Sequence, residues 1–591
     1  MTRPTPLVAF VLSVAGLLAV ASSAARATDA VAPTGPADLI LLNGKVITVD
    51  ADFSVRHAVA IKDGKILATG PNADVLKLKG DSTNLVDLEG KTVLPGLIDS
   101  HVHPRAGVYE FDHEIPEFES VADVLAYVKA RAEKLGEGKW VQLSQVFITR
   151  LREQRYPSRA ELDAAAPKNP VVFATGPDAS LNSLALKLSG IDKDWKVTDG
   201  GPGYAEKDAA TGEPTGILRG CTRYIKAKSS EKSPTEADHY ARTLALFRDY
   251  NANGITAVAD RAADTGSIAR YTKMRDAGDL PVRLSLSYHV NTIGTLDEVK
   301  GRIAKLADHP LRKDDPMLRL VGVKTFLDGG MLTGSAYMRK PWGVSKIYSI
   351  TDPDYRGVLL IPRERLQPIV RAVTEQGLQF TAHSVGDGAV EALLDAYDVT
   401  AKEIGEERVR ATRPCITHCN FMGEDLVKRM PRLGVVADIQ PVWLWLDART
   451  LTAQFGDERL RYFQPLKSLF DAGVTVGGGS DHMQKIGAMR AVNPYDPFLG
   501  IATTLTRTAR WHEGRVHPEE ALTRQQAIRF YTINNARILF REHQVGSLEP
   551  GKFADLIVVD RDLLTCPEAD VRGTKVLRTY LGGKLVFERK L

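Results

Sequence analysis

Five short segments of this sequence carry side chains that could hold a metal ion and move protons. The run Val93–Asp99 leads into Ser100 and His101-Val102-His103, Thr381-Ala382 ends in His383, and Ile416-Thr417 ends in His418. Gly477-Gly478-Gly479-Ser480 ends in Asp481, and Lys324 lies inside the apolar run Val321–Phe326 with Asp328-Gly329-Gly330 just beyond. Residues i and i+2 of an extended segment point to the same side, so His101 and His103 can face one ion. Imidazole nitrogen and carboxylate oxygen suit zinc and similar divalent cations. Singly, each residue has an ordinary structural reading. His383 and His418 could be hydrogen-bonded core histidines, Asp481 a helix cap, and Lys324 the partner of Asp328. Together, four histidines, an aspartate and a lysine at the ends of separate apolar runs argue for one metal-dependent site.

Residues so far apart in sequence need a scaffold that brings strand ends to one rim. Short β-rich runs alternate with helical patterns through the middle of the chain. Strands are expected near Val93–Asp99, Ile255–Ala259, Arg283–His289, Leu318–Phe326, Leu378–His383, Pro414–Thr417, Val435–Ile439 and Val474–Gly478. Helical periodicity follows most of them, as in Leu366–Gln376, Ala389–Glu406 and Gly423–Leu433. Eight such units predict an α/β fold built on a (β/α)8 barrel, whose active site lies at the C-terminal ends of the strands. The long gap after the first strand predicts an insertion at about residues 106–250. The barrel is expected over 95–544.

The two chain ends share another style. Leu39–Leu42 and Lys45–Val49 flank Asn43-Gly44, Val59–Lys62 and Lys65–Ala68 flank Asp63-Gly64, and Val576–Leu581 and Lys584–Glu588 flank Gly582-Gly583. These dipeptides suit tight hairpins, which need positive φ at both central positions. Neither end has enough apolar surface to stand alone. Residues 28–94 and 545–591 are therefore expected to build one small composite β-sandwich.

The 591 residues are 43% hydrophobic and 25% charged, ordinary globular values that exclude a disordered or multi-span membrane chain. A net charge of +4 and no basic stripe argue against a nucleic-acid partner. Residues 1–27 read as a secretory signal: Arg3, the apolar stretch Leu7–Ala21, then Ala25-Arg26-Ala27 as a small-x-small cleavage site. The expectation is an exported protein, periplasmic or secreted, with no stable membrane association after cleavage. Four cysteines are too few for a disulfide scaffold. Cys415 and Cys419 flank His418 and read best as buried small apolar residues, with a disulfide or metal ligation by Cys419 as alternatives.

The segment Thr92–His103 resembles the opening strand of the amidohydrolase superfamily, with its Pro-Gly-x-Ile-Asp-x-His-x-His wording. Gly546–Asp555 is similar to that superfamily's return into the sandwich. More narrowly, Gly212-Glu213-Pro214-Thr215-Gly216-Ile217-Leu218, Lys324 with Asp328-Gly329, His383–Asp387 and Gly479–Asp481 resemble the YtcJ-like branch, amidohydrolase family 3. The resemblance covers nearly the whole chain after the signal. It implies two divalent metal ions, with zinc the expected metal. His101 and His103 would hold the buried ion, and His383 and His418 the exposed one. Lys324 would be carbamylated (N6-carboxylysine) and bridge them, while Asp481 would bind metal and act as catalytic base. Such a pair supplies a Lewis acid for a carbonyl and a hydroxide nucleophile at neutral pH.

The expected activity is hydrolysis of a non-peptide carbon–nitrogen bond in a small molecule. An esterase, lyase or isomerase on the same metals, or a non-catalytic binding protein, are the alternatives. Two departures bear on substrate. Gly176-Pro177 stands where the branch often has glycine-histidine, and His482-Met483 follows Asp481 where tryptophan-proline is common. His289, Arg219, Tyr337 and His482 are candidate substrate contacts. Substrate identity and oligomeric state, a homo-oligomer included, are not encoded in any motif found.

Overall fold

A computed structural model describes residues 33–144, 146–175, 178–198 and 203–590. The signal segment 1–27 and the Gly176-Pro177 departure lie outside these described residues.

Eight parallel strands in sequential order form the centre: β1 (Leu97–Val102), β2 (Ile255–Ala263), β3 (Arg283–His289), β4 (Leu318–Phe326), β5 (Gln379–Ser384), β6 (Cys415–His418), β7 (Val436–Ile439) and β8 (Val476–Gly478). Each pairs in parallel with the next, for example Lys324 with Thr381 and Phe326 with His383. The ring closes just past the regular part of β8. There Val102 bridges His482, the Asp481 amide donates to the His101 carbonyl at 2.8 Å, and the His103 amide donates to the His482 carbonyl at 3.0 Å. Apolar residues on both faces of these strands fit a parallel sheet wrapped by helices. Leu366, Ile369, Val370 and Val373 of helix Arg363–Glu375 pack in the same core as Leu320, Val323 and Phe380.

The expected first barrel strand, Val93–Asp99, is two strands. Thr92–Pro95 pairs with Lys45–Ile47 and Leu556–Val559 in a six-stranded sheet, and only Leu97 onward joins the barrel. Gly96 is the joint: a Cβ there would lie 2.1 Å from Thr256 Oγ1. A second correction concerns Asn43-Gly44. The strands it separates do not pair with each other. Ala37–Leu42 joins Ala58–Lys62 and Lys79–Asp87 in a four-stranded sheet, whereas Lys45–Ile47 lies in the six-stranded one. The two other glycine turns do close hairpins, with positive φ at Asp63, Gly64, Gly582 and Gly583. The two sheets share one apolar cluster, with Leu41, Val59 and Ile61 against Val93, Leu556 and Val558.

Residues between β1 and β2 fold around a five-stranded sheet (Val141–Leu143, Val171–Thr175, Asp178–Leu181, Tyr204–Lys207 and Pro214–Arg219), with helices Val121–Leu135, Arg159–Ala165 and Ser183–Ser189. Ser120 and Ser158 start the first two helices through reciprocal capping boxes. Their cores are separate from that of the barrel.

Candidate metal centre

The six residues singled out at the strand ends come together at the C-terminal rim. His101 and His103 end β1, Lys324 lies two residues before the end of β4, His383 and His418 stand at the ends of β5 and β6, and Asp481 follows β8. Asp481 Oδ1 lies 2.9 Å from His103 Nε2 and 3.4 Å from His101 Nε2. One donor atom from each of these three residues falls within 4.8 Å of the others. Ring centroids of His101 and His418 are 5.1 Å apart, and those of His418 and His383 are 4.5 Å apart.

Lys324 is buried, and its Nζ sits 4.7 Å over the Phe326 ring. Burial lowers its pKa to about 8. Burial also holds His383 down to about 3, and depresses His101 and His418 well below the ordinary imidazole value. The charge of Lys324 adds to the depression at all three. The imidazoles are thus neutral at physiological pH, the form that binds metals. Asp328 does not pair with Lys324. It accepts from the amides of Tyr337, Val385 and Gly386 and approaches His383 Nε2 to 3.8 Å.

The chemistry of these residues fits a metal. His101 Nδ1 and Nε2, Asp438 Oδ2 and Asp481 Oδ1 are buried without a hydrogen-bond partner. Such groups are costly in a native interior unless something else satisfies them. His418 and Asp481 also adopt left-handed backbone, φ +82° and +54°, a strained choice for non-glycine residues that concentrates at functional sites.

The supporting shell was not singled out in the sequence. Asp438 on β7 places Oδ2 3.4 Å from His101 Nδ1, and Gln440 accepts from His418 Nδ1 at 2.7 Å, leaving Nε2 free. Trp443 stacks on His418 at 4.7 Å. Beneath them the fully buried Arg261 donates to the Ser100 carbonyl and lies 3.3 Å from Asp438. Asp99 binds the amide and hydroxyl of Ser480, and Asn493 donates to the Asp481 carbonyl at 2.6 Å. Asp438 and Gln440 were accessible in principle, because they are polar residues at i and i+2 in an otherwise apolar run.

The candidate substrate contacts fare differently. His289 is exposed at the end of β3, paired in register with Lys324. Tyr337 is half-buried, and its carbonyl accepts from Gly388 and Ala389 at the helix start after β5. Arg219 is committed within the insertion to Glu206 and Asp178, over the Tyr156 ring. His482 is fully buried: its Nε2 donates to the Lys485 carbonyl and its Nδ1 accepts from Tyr250, so it braces the loop after β8. Both His482 ring nitrogens are thus engaged away from the rim. Cys415 and Cys419 are buried free thiols.

The amidohydrolase family model matches residues 84–587. The chain is 28% identical to an N-substituted formamide deformylase of Arthrobacter pascens over 93% of this chain and 98% of that protein. It is 25% identical to the putative amidohydrolase YtcJ of Bacillus subtilis over 92% and 98%. An uncharacterized metal-dependent hydrolase from Pyrococcus horikoshii shares the fold, with a TM-score of 0.64 at 22% identity, covering 90% of this chain and 99% of that one.

Proposed function

The chain belongs to the amidohydrolase family, and from that premise we propose that it hydrolyses a carbon–nitrogen bond, other than a peptide bond, in a small amide-type substrate with two divalent metal ions. The observation that carries this reading is the convergence of His101, His103 and the buried Asp481 Oδ1. His101, His103 and Asp481 would hold one ion, and His383 and His418 the other, with a carbamate on Lys324 between them. A free ammonium repels a cation, whereas a carbamate is an anion that offers two oxygens. The pKa of about 8 supplies the neutral amine that carbamylation requires. Zinc suits this donor set. When bound, such ions polarise a carbonyl and ease deprotonation of water.

The chain's own residues do the rest. Asp481 Oδ1 takes a proton from the attacking water and returns it to the nitrogen as the carbon–nitrogen bond breaks, so the amine leaves neutral. Asn493 and the Ser480–Asp99 bonds hold the aspartate in place while this happens. The printed activity of the Arthrobacter relative, removal of formyl from N-substituted formamides, indicates where a substrate search should begin. Export rests on the leader at 1–27. Among the described residues no helix is long and apolar enough to cross a membrane.

The test is Asp481→Asn assayed on N-substituted formamides and related small amides. The expected result is a fall in kcat of at least about a hundredfold, the scale of a lost general acid–base. Full activity in a metal-loaded variant would show that Asp481 is not the base.

A further inference from the structure

A second feature lies on the same face of the barrel. A cavity of about 600 Å³ is walled by the segment after β1, the insertion, the helix after β7 and the loop after β8. Apart from Arg510, Trp511 and Arg572, these walls follow the C-terminal ends of strands, where barrel active sites are built. None of the six metal-centre residues lines it, yet Lys485 does. Lys485 is four residues beyond Asp481, a reach of at most ~14 Å of extended chain. Arg150 ties the walls to the site: it binds Asp447 through two 2.8 Å bonds and Asn493 Oδ1 at 2.8 Å, and Asn493 holds the Asp481 carbonyl.

The lining is aromatic and charged, with six lysine and arginine side chains against Glu117, Glu119 and Glu231. Phe118, Trp445 and Trp511 contribute flat apolar surface. Most of the cations are matched: Arg150 by Asp447, Arg490 by Glu110 and Glu114, and both Arg152 and Arg510 by the single carboxylate of Glu119, while the exposed Arg572 lies over the Trp445 ring at 4.8 Å. Lys485 is not. It is 4% exposed, its Nζ donates to the Pro116 carbonyl at 2.6 Å and lies 5.2 Å over Phe118, and among the described residues no carboxylate oxygen is within ion-pair distance. Glu110, Glu114 and Glu117 act on it from farther away, the first two already engaged by Arg490. A buried cation without a paired anion is expensive.

We propose that this cavity takes the part of the substrate beyond the scissile bond, and that Lys485 pairs with a carboxylate carried there beside a flat apolar group. The inference deepens the amide-hydrolase reading and rests on it. Lys485 is then a specificity-determining residue. The substrate class is a small amide bearing an anionic, aromatic or similarly planar substituent.

Two measurements on the metal-loaded enzyme test it. The first is binding of phenylacetate against phenylacetamide, followed by calorimetry in wild type, Lys485→Met, Lys485→Arg and Asp481→Asn. Phenylacetate should bind at least tenfold tighter than the amide, lose that advantage in Lys485→Met, regain part of it in Lys485→Arg, and keep it in Asp481→Asn. The second is the kcat/KM ratio for N-formylphenylalanine over its C-terminal amide, expected to exceed ten in wild type and to approach one in Lys485→Met. Equal binding of both probes to wild type, or an unchanged preference in Lys485→Met, overturns the proposal. Should Lys485→Met not fold, the wild-type comparison and Lys485→Arg still decide it. Lysine-dependent phenylacetate binding without hydrolysis of either amide supports the anion site while refuting the hydrolase reading.

Discussion

The Asp438 carboxylate on β7 faces His101 Nδ1 at 3.4 Å, on the side of the imidazole opposite Asp481. Asp438 is thus placed to orient the His101 ring, as outer partners of ligating imidazoles do. Asp438→Asn should therefore weaken metal binding by about 10- to 100-fold, the range for such outer partners. Titration of the metal-free protein with zinc, read by calorimetry, checks this.

Asn493 reaches Asp481 from the far side of the β8 loop, and Arg150 holds its amide in turn. Asn493→Ala frees the Asp481 carbonyl and relaxes its left-handed backbone. The expectation is a drop in kcat of about tenfold with KM little changed, as for a misplaced catalytic group. Steady-state kinetics on any accepted amide separates this from loss of substrate binding, which would raise KM instead.

Lys324 has its ammonium destabilised by burial, with a pKa of about 8. The neutral amine that reacts with carbon dioxide grows as pH rises through that value. Recovery of activity by metal-free protein, given metal and bicarbonate, should be faster at pH 8.5 than at pH 6.5. Lys324→Arg should recover nothing at either pH. A rate independent of pH and bicarbonate would remove the carbamate from the site.

Buried His482 has a folded-state pKa of about 3, against 6.5 for a free imidazole. Between those values the unfolded chain binds the proton and the folded chain does not, so stability is lost as pH falls from 6.5 toward 3. One such group contributes a slope of up to about 1.4 kcal/mol per pH unit. His482→Asn should flatten the acid limb of urea midpoints measured from pH 7 to pH 4.

Gly479 gives the β8 turn room against Asp99, whose Oδ1 would lie 1.7 Å from an added Cβ. Gly479→Ala must displace that carboxylate and its bonds to Ser480, at a cost of about 1–3 kcal/mol. A lower melting temperature together with weakened metal binding is expected, because the same turn carries Asp481.

The sequence was most legible where function and periodicity coincide. His101, His103, His383 and His418 end apolar runs, so strand position and candidate ligands are read together. Turn chemistry was less decisive. Asp63-Gly64 and Asn43-Gly44 look alike locally, yet the first closes a hairpin and the second passes the chain between two sheets, because strand pairing is settled by distant partners. Gly96 likewise splits one apolar run between two sheets through its contact with Thr256, over 150 residues away. Asp438 and Gln440 needed only the i, i+2 reading that found the first histidine pair. Asn493, Arg150 and Lys485 had no local signal, since their roles come from contacts across the fold.

The central claim is a two-metal centre bridged by Lys324. The most direct test is metal content per chain, by elemental mass spectrometry, on protein prepared with bicarbonate and without chelators. Close to two divalent ions per chain, falling in His101→Ala and Lys324→Ala, is the predicted result. A single ion that survives Lys324→Ala would contradict the bridge, and no bound ion after reconstitution with zinc or manganese would contradict the metal centre itself.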